Sequence, residues 1–507
     1  MAELPEGLPR AARMRLLLIP GLLFLGISFL CLNDTMVYSP DSANYLSWAR
    51  SLAHLKGFVD TLGPEPARYV FNAPFYPVLL APLAIFFPLG VIAAKIATIL
   101  TGAFMLAAFQ AALARRAGPW PALGAALFFA VNPLFILFAT QVLSDIPFAA
   151  SCVVVVLLLE RVMRDDEPGL LAPLLLAIAA GCALFLREVG FAVVGATAIA
   201  LIARKRYVPL FVLLCVVGGA YGLWLTRNEL IVARWEHPGQ RNLSLFVSNV
   251  FTASGTPPLG EIAARLARSF HMYAPALAML AVAPFRGDWT FSVVDNTDPL
   301  LGAAGSAADA VFWPLAALTA LVLVAGGVRI YREKTHAPFF AALVPLYAAI
   351  IALYPVSDIR FLFPVLLLLL WCATEAAAPV VRALNGRRRH LGTLCAAFLL
   401  AVLALPNIAW IRNVVSTNIA YRSNPQGYVA QAAARDPYSG ELLLLPRPAA
   451  EWIDAHSPSG TVVASQMKAA ALWLGGRPLM LTNPLLPVED FDNRIRDYRV
   501  GFLICQL

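Results

Sequence analysis

The stretch 34-DTMVYSPDSANYLSWARSLAHLKGF-58 follows directly on an apolar run that is long enough to be a membrane span. It contains two aspartates, Asp34 and Asp41, followed by Tyr45 and Arg50 at helical spacing. Ionisable side chains at a membrane edge are costly unless they stay hydrated or have a function. A solvated helix end explains Asp34 simply, and a first-turn acid that stabilises a helix start explains Asp41.

The composition is that of a polytopic membrane protein. Of the 507 residues, 60% are hydrophobic and 13% are charged, whereas soluble domains carry about 25% charged residues. The net charge of +8 does not indicate a nucleic-acid partner, because basic residues of membrane proteins collect on the cytoplasmic side. The seven cysteines show neither metal nor disulfide spacing. The first apolar run ends in CLNDT without a cleavage site, which predicts a retained span.

Hydropathy predicts eleven spans, at 16–33, 93–114, 119–139, 146–163, 169–186, 189–203, 207–226, 310–328, 337–356, 361–380 and 391–411. The segment 74–88 is apolar but short, and it contains four prolines. We interpret it as an outer-face or re-entrant helix, because the basic residues then sort by side. The inner segments hold 17 basic residues and the short outer loops hold five, as the positive-inside rule demands.

Two domains follow from this topology. Residues 1–411 form a transmembrane domain with outer loops at 34–92, which includes juxtamembrane helices, and at 227–309. Residues 412–507 form a small α/β domain on the outer side. In that tail we predict helices at AAEWIDAH, SQMKAAALWLGG and DFDNRIRDY, and strands at TVVAS, RPLMLT and RVGFLICQ. No internal repeat of fixed period is present, which weakens an inverted-repeat transporter.

Ionisable residues recur at the predicted outer ends of other spans. They are Asp145, Arg187, Glu188, Asp358 and Arg360. Each has a structural explanation: a helix cap for Asp145, a solvated turn for Arg187 and Glu188, and snorkelling for Arg360. Together they suit an anionic, lipid-linked substrate, because arginines clamp phosphates and a carboxylate can accept a proton from an attacking hydroxyl.

These residues resemble the GT-C glycosyltransferases, in the branch of the protein O-mannosyltransferases and the lipid A aminoarabinose transferase. Five short motifs carry the resemblance in order: PDSANYLSWARSLAHLKGF, FNAPFYPVLLAPL, LSDIPF, FLREVGF and IRFLFPVLLLLLW. The tail AEWIDAHSPSGTVVAS resembles the outer domain of the family. The chain departs from the pattern at Ser42, where the mannosyltransferases have a Glu after the Asp. It departs again at Asn72 and Ala73, where the aminoarabinose branch has a Lys.

The resemblance implies an inverting transferase on the periplasmic face of a bacterial inner membrane. It would move a sugar from a polyprenyl-phosphate donor to a hydroxyl of a glycolipid, a polysaccharide or a protein. It implies these roles: Asp41 as catalytic base with Asp145 on the acceptor side, Arg187, Arg360 and Arg68 at the donor phosphate, and Tyr45, Tyr76, Glu188 and Asp358 in the substrate pocket. We expect no cofactor or metal to be required, because arginines can neutralise one phosphate.

Three alternatives remain at this point. A transporter or flippase of lipid-linked glycans would have the same hydrophobic build, but it would place its ionisable groups near the bilayer midplane. A glycan ligase or polymerase would depend on the arginines of the loop 227–309. A scaffold protein derived from a GT-C-like core would be expected to have lost the first-loop aspartate, which this chain retains.

Overall fold

The computed structural model describes residues 10–34, 39–63, 67–68, 73–87, 90–165, 169–232, 260, 262–267, 269–270, 273, 307–332, 336–353, 359–388, 390–424, 446–465, 474, 477–481, 496–497 and 499–504. Asp358, most of the loop 227–309 and part of the C-terminal tail lie outside these residues.

The described chain is a bundle of apolar helices with a small sheet near its C-terminus. The helices are α1 (Arg10–Cys31), α2 (Ser39–Ala53), α3 (Phe75–Phe86), α4 (Val91–Ala117), α5 (Pro119–Ala130), α6 (Pro133–Ala139), α7 (Asp145–Arg164), α8 (Leu171–Leu186), α9 (Gly190–Ala203), α10 (Tyr207–Leu213), α11 (Gly219–Val232), α12 (Ala307–Arg332), α13 (Ala337–Leu353), α14 (Phe363–Arg387), α15 (Leu391–Ser423) and α16 (Pro446–His456). A π-helical turn, Leu214–Gly218, joins α10 to α11, and a 3-10 turn, Ile359–Leu362, precedes α14.

Each predicted span falls on apolar helix, but the span 119–139 is divided between α5 and α6, and the span 207–226 runs through α10, the π-helical turn and α11. Within the described ranges, five helices are long and apolar enough to cross a membrane: α4, α7, the continuous α10–α11 rod, α14 with its 3-10 turn, and α15. A sixth candidate is the pair α5 and α6, which is bent by 61°. The bend is encoded locally, because Asn132 accepts the N–H of Phe135 at 3.1 Å as a helix cap and Pro133 opens α6.

Successive helices place their polar ends alternately at two faces of the bundle. Asp41, Asp145 and Arg187 mark one end, which we call the pocket face. Arg116 and Glu375 mark the opposite end, which we call the arginine face. The chain is therefore a multi-pass membrane protein whose ion pairs at the pocket face lie at helix ends.

Helix α3, the predicted outer-face segment, does not complete a crossing. It has 12 residues, or about 18 Å at 1.5 Å per residue, against a hydrocarbon core of about 30 Å. The end of α1 and the start of α4 also lie together, because Lys95 Nζ donates to the backbone oxygen of Asn33 at 2.9 Å. The segment between them therefore begins and ends at the pocket face.

Close helix contact between α12 and α14 depends on a glycine. A Cβ added at Gly326 would overlap the backbone oxygen of Cys372. We expect Gly326→Ala to separate the two helices and to destabilise the protein by about 1–3 kcal/mol, the usual cost of overpacking. Thermal unfolding in detergent measures this, with Gly327→Ala as the matched control, since a Cβ there meets no atom within 4 Å. Equal midpoints for the two variants would contradict the expectation.

The C-terminal residues form a three-stranded parallel sheet in the order β4-β3-β5, with β3 at Val462–Ser465, β4 at Leu479–Leu481 and β5 at Val500–Ile504. The three predicted strands and the helix at AAEWIDAH are confirmed. The other two predicted tail helices lie almost wholly outside the described residues. Helix α15 continues past residue 411 to Ser423.

The sheet is attached to the first outer loop, which contains a two-stranded ribbon of β1 (Val59–Asp60) and β2 (Ala67–Arg68). The backbone N–H of Leu479 donates to the oxygen of Leu62 at 2.8 Å. Asp60 then accepts from the N–H of Leu62 at 3.1 Å and from the hydroxyl of Ser47, on α2, at 3.0 Å. The tail, the loop and α2 are therefore hydrogen-bonded in series.

Candidate functional site

Helix α2 places Asp41 at the pocket face. Asp41 lies in the first turn, as the sequence predicts. Two side chains of α2 fasten it to the segment before α7. Ser42 Oγ donates to the oxygen of Val142 at 3.1 Å, and the hydroxyls of Tyr45 and Ser144 lie 3.3 Å apart. Ser42, the position where the sequence departs from the mannosyltransferase pattern, is thus a buried anchor.

Asp41 forms an ion pair with Arg360. The Nη1 of Arg360 donates to Asp41 Oδ2 at 2.5 Å, and the two side chains are 19% and 28% exposed. Arg360 belongs to the 3-10 turn before α14. That turn is held by Tyr347, whose hydroxyl donates to the oxygen of Phe361 at 2.6 Å. The arginine is therefore fixed in the pocket rather than extended toward lipid headgroups.

A second ion pair joins Asp145 to Arg187. Asp145 is the first residue of α7 and is 1% exposed. A helix cap does not explain Asp145, because Ser144 holds the cap position and the Asp145 carboxylate accepts from Arg187 Nη1. The solvated turn predicted for Arg187 is wrong as well, since its side chain is 13% exposed. The second oxygen of Asp145 is buried and accepts no hydrogen bond from any described residue.

The ring of Phe361 brings the two ion pairs together. The guanidinium carbon of Arg187 lies 5.2 Å from the ring centroid, and that of Arg360 lies 5.6 Å from it. These are cation–π distances. Arginines that are distant in sequence are thereby held against one aromatic side chain.

These residues line a small cavity of ≈160 Å³, which we call the polar pocket. The wall carries the carboxylates of Asp41 and Glu188, the guanidinium groups of Arg187 and Arg360, and the hydroxyl of Tyr45. Burial and the neighbouring Asp41 carboxylate raise the pKa of Tyr45 to about 12, so its hydroxyl stays a neutral donor. The pocket thus combines bidentate anion donors with carboxylate proton acceptors.

Glu188 should make stability depend on pH. Burial raises the pKa of its carboxyl to about 7, although the positive charge of Arg187 acts to lower that pKa. A raised folded-state pKa means that folding favours the protonated form, so its stabilisation is full below the ordinary value of 4.5 and is lost as pH rises through 7. We expect the wild-type thermal midpoint to fall more than that of Glu188→Gln between pH 5 and pH 8. Parallel profiles for the two proteins would contradict this.

Four residues predicted for the site do not line the polar pocket as described, and one of them, Asp145, is buried beside it in the ion pair with Arg187. Tyr76 packs behind it, with its ring 4.9 Å from that of Tyr45 and its hydroxyl 2.8 Å from that of Thr98. Arg68 is exposed on β2 and does not line the pocket, so the geometry gives it no role at a phosphate held there. Asp358 lies outside the described residues.

Sequence reasoning missed Phe361, Ser144 and Tyr347, which complete the pocket or hold it in place. Phe361 had a signal, since it follows Arg360 directly at the start of an apolar span. Ser144 also adjoins a predicted site residue. Tyr347 had none, because it is one aromatic residue within a uniformly apolar helix.

A larger apolar cavity of ≈880 Å³ lies beside the polar pocket. It is lined mainly by α13, from Ala337 to Ala352, and by parts of α7, α12 and α14. Ile351 lines both cavities. An amphipathic ligand can therefore have its charged end among the arginines and its hydrocarbon part in the bundle.

The acidic residues of the pocket face, Asp34 among them, do not form a metal site in the part of the chain that the structure describes. Asp34 instead accepts from the Tyr421 hydroxyl at 2.9 Å. No group of three His, Cys, Asp or Glu side chains there could hold a metal ion. Independence of metal stays a prediction.

Solved structures share this architecture along nearly the whole chain. ArnT from Cupriavidus metallidurans bound to undecaprenyl phosphate matches with a TM-score of 0.57 and 13% identity, covering 98% of this chain and 90% of that one. The oligosaccharyltransferase of Archaeoglobus fulgidus in the apo form matches with a TM-score of 0.56 and 15% identity, covering 94% of this chain and 65% of that one. The oligosaccharyltransferase AglB from Archaeoglobus fulgidus, in complex with an inhibitory peptide and a dolichol-phosphate, matches with a TM-score of 0.53 and 14% identity. The match covers 93% of this chain and 64% of that one.

The chain thus spans just under two thirds of the length of the archaeal proteins. No protein-family model and no curated protein matches it by sequence. At such identities the likeness is one of fold. The architecture implied by the resemblance is confirmed: this chain has the fold of ArnT and of the archaeal oligosaccharyltransferase.

Proposed function

We propose that the protein is an inverting glycosyltransferase that moves a sugar from a polyprenyl-phosphate donor to a hydroxyl acceptor. One observation carries the proposal: a polar pocket with two arginines, one aspartate and one glutamate adjoins an apolar cavity of ≈880 Å³. Such a pair of compartments fits a ligand with an anionic head and a long hydrocarbon chain. The neighbours support it, since ArnT is bound to undecaprenyl phosphate and AglB to a dolichol-phosphate.

In the proposed reaction the acceptor oxygen attacks the anomeric carbon on the face opposite the phosphate. The carbon–oxygen bond to the phosphate breaks, and polyprenyl phosphate leaves with the bonding electrons. The hydroxyl proton passes to the Asp41 carboxylate. A single displacement of this kind inverts the anomeric centre, and one base is sufficient for it.

The arginines would stabilise the phosphate as it gains charge. In the absence of donor, Arg360 is paired with Asp41 and Arg187 with Asp145. A phosphate entering between the two guanidinium groups competes with both carboxylates for the same donors. If Arg360 shifts its hydrogen bond from Asp41 to the phosphate, the Asp41 carboxylate becomes free to act as a base only when donor is bound. Asp145 would shape the acceptor side from behind Arg187, because its carboxylate is buried and does not line the polar pocket.

The acceptor would be a glycolipid, a polysaccharide or a protein on the periplasmic face of a bacterial inner membrane. The asymmetry of basic residues supports this orientation. A transporter of lipid-linked glycans is the second candidate, but the two ion pairs at the polar pocket lie at helix ends rather than at the midplane expected for a transport site. A ligase or polymerase would rely on the loop 227–309, most of which lies outside the described residues.

Comparative mass spectrometry of the cell envelope tests the proposal. We expect a strain lacking the gene to lose one sugar from a defined glycolipid, polysaccharide or protein, and to accumulate the polyprenyl-phosphate sugar. Reintroduction of the wild-type gene should restore the mass. Unchanged acceptors together with unchanged polyprenyl intermediates would contradict a transferase.

A further inference from the structure

The arginine face carries a charged network that the proposed reaction does not use. Glu160 pairs with Arg115 at 3.3 Å and with Arg164 at 2.5 Å. Glu375 pairs with Arg116 at 2.8 Å and with Arg329 at 3.9 Å. We call these four arginines and two glutamates the arginine cluster; its charges leave an excess of two positive charges. The side chains of Arg164 and Arg329 are 61% and 36% exposed, so an anion at the membrane surface can reach them.

The apolar cavity extends to this cluster. Its lining follows α13 from Ala352, near the polar pocket, to Ala337 at the arginine face, a distance of about 22 Å at 1.5 Å per residue. Trp371 forms part of the wall at the arginine face. The guanidinium carbon of Arg116 lies 5.6 Å from the centroid of its ring, and the ring of His336 lies 6.2 Å from it. Cationic groups therefore lie beside both ends of one apolar cavity.

Three hydrogen-bond donors at the arginine face are buried without an acceptor among the described residues: Trp371 Nε1, His336 Nε2 and Arg329 Nε. His336 is a donor at Nε2 because Arg116 occupies Nδ1, at 2.8 Å, and arginine can only donate. Burial and Arg116 lower the pKa of His336 to about 3, which keeps the ring neutral with its proton on Nε2. Buried donors left unpaired are costly, so a group outside the protein is expected to accept from them.

We propose that the arginine-face end of the apolar cavity binds an anionic phospholipid from the cytoplasmic leaflet. The phosphate would lie at the arginine cluster and accept from Trp371 and Arg329, and an acyl chain would enter the cavity along α13. Charge complementarity selects this occupant, because basic pockets between helices on the cytoplasmic side suit anionic headgroups. The orientation also fits, since lipids of that leaflet direct their chains from the arginine face toward the bilayer centre. The site is separate from the polar pocket and does not depend on transfer activity.

Native mass spectrometry of the full chain in detergent, titrated with phosphatidylglycerol or with phosphatidylcholine of the same acyl chains, tests the site. We expect phosphatidylglycerol to be retained and phosphatidylcholine to dissociate. Arg329→Gln should raise the Kd for phosphatidylglycerol about tenfold, the effect of losing one charge-assisted hydrogen bond. Trp371→Phe, which keeps an aromatic wall but removes the N–H, should also raise the Kd. It serves as the second variant should Arg329→Gln not fold.

Arg382→Gln is the matched control, because Arg382 lies on the same helix as Glu375 and donates only to its own helix, at Ala378, in the described contacts. Its Kd for phosphatidylglycerol should equal that of the wild type. Equal retention of the two lipids, or equal weakening by Arg382→Gln and Arg329→Gln, would overturn the proposal. Either result would leave the transferase proposal intact, because the readout is lipid binding and not sugar transfer.

Discussion

Asp41→Asn is expected to reduce sugar transfer by a factor of about 10²–10⁴, the usual contribution of a positioned general base. The asparagine has the same shape and can still accept from Arg360, so the helix start and the turn before α14 should keep their places. What is lost is the proton acceptor. Initial rates of purified protein in lipid nanodiscs give the effect, and retention of polyprenyl phosphate in native mass spectra shows that the donor site is intact.

Asp34→Asn is the control for this experiment. Asp34 lies on the same face and in the same quoted stretch, but its carboxylate accepts from Tyr421 and does not line the polar pocket. Its transfer rate should match the wild type. A wild-type rate for Asp41→Asn would remove Asp41 as the base and move attention to Asp145 or Glu188.

Arg187→Gln is expected to destabilise the fold by about 3–5 kcal/mol, because it leaves a buried carboxylate without its countercharge. Asp145 is 1% exposed and one of its oxygens already lacks a partner among described residues, so no nearby group can replace the arginine cheaply. Thermal unfolding in detergent measures the loss. The exposed Arg68 provides the matched control, since Arg68→Gln should change the stability by less than about 0.5 kcal/mol.

The double variant Asp145→Asn/Arg187→Gln separates burial from catalysis. With both charges removed, much of the lost stability should return, while transfer should stay low because the phosphate has lost one arginine. A double variant as unstable as Arg187→Gln alone would show that the ion pair does not account for the destabilisation.

Sequence reasoning located most of the site because polar residues at the ends of apolar helices are rare and therefore conspicuous. Asp41, Arg187 and Arg360 all lie at such ends, and alternation of the spans places those ends on one face. The pairing of each aspartate with its arginine could not be predicted from the sequence. Asp41 and Arg360 are 319 positions apart, and hydropathy does not state which acid meets which arginine.

The errors have equally specific causes. A helix cap is a simple sequence explanation for Asp145 because this residue opens a helix, but capping propensity does not reveal that Arg187 lies opposite. Span 119–139 was treated as continuous, although Asn132 and Pro133 provide a helix start in its middle. Arg68 was grouped with the phosphate ligands on charge alone, and β2 exposes it elsewhere.

The bond from Leu479 to Leu62 has a consequence for the construction of chimeras. A sheet edge presents unpaired N–H groups that promote association with other chains unless something covers them. Here the first loop covers part of the edge at β4, and through Asp60 and Ser47 it connects that edge to the helix of Asp41. The loop and the tail therefore form one structural unit. A graft of either segment alone from a protein of the same fold should leave an open sheet edge and a loosened α2, whereas both segments grafted together should keep their contacts.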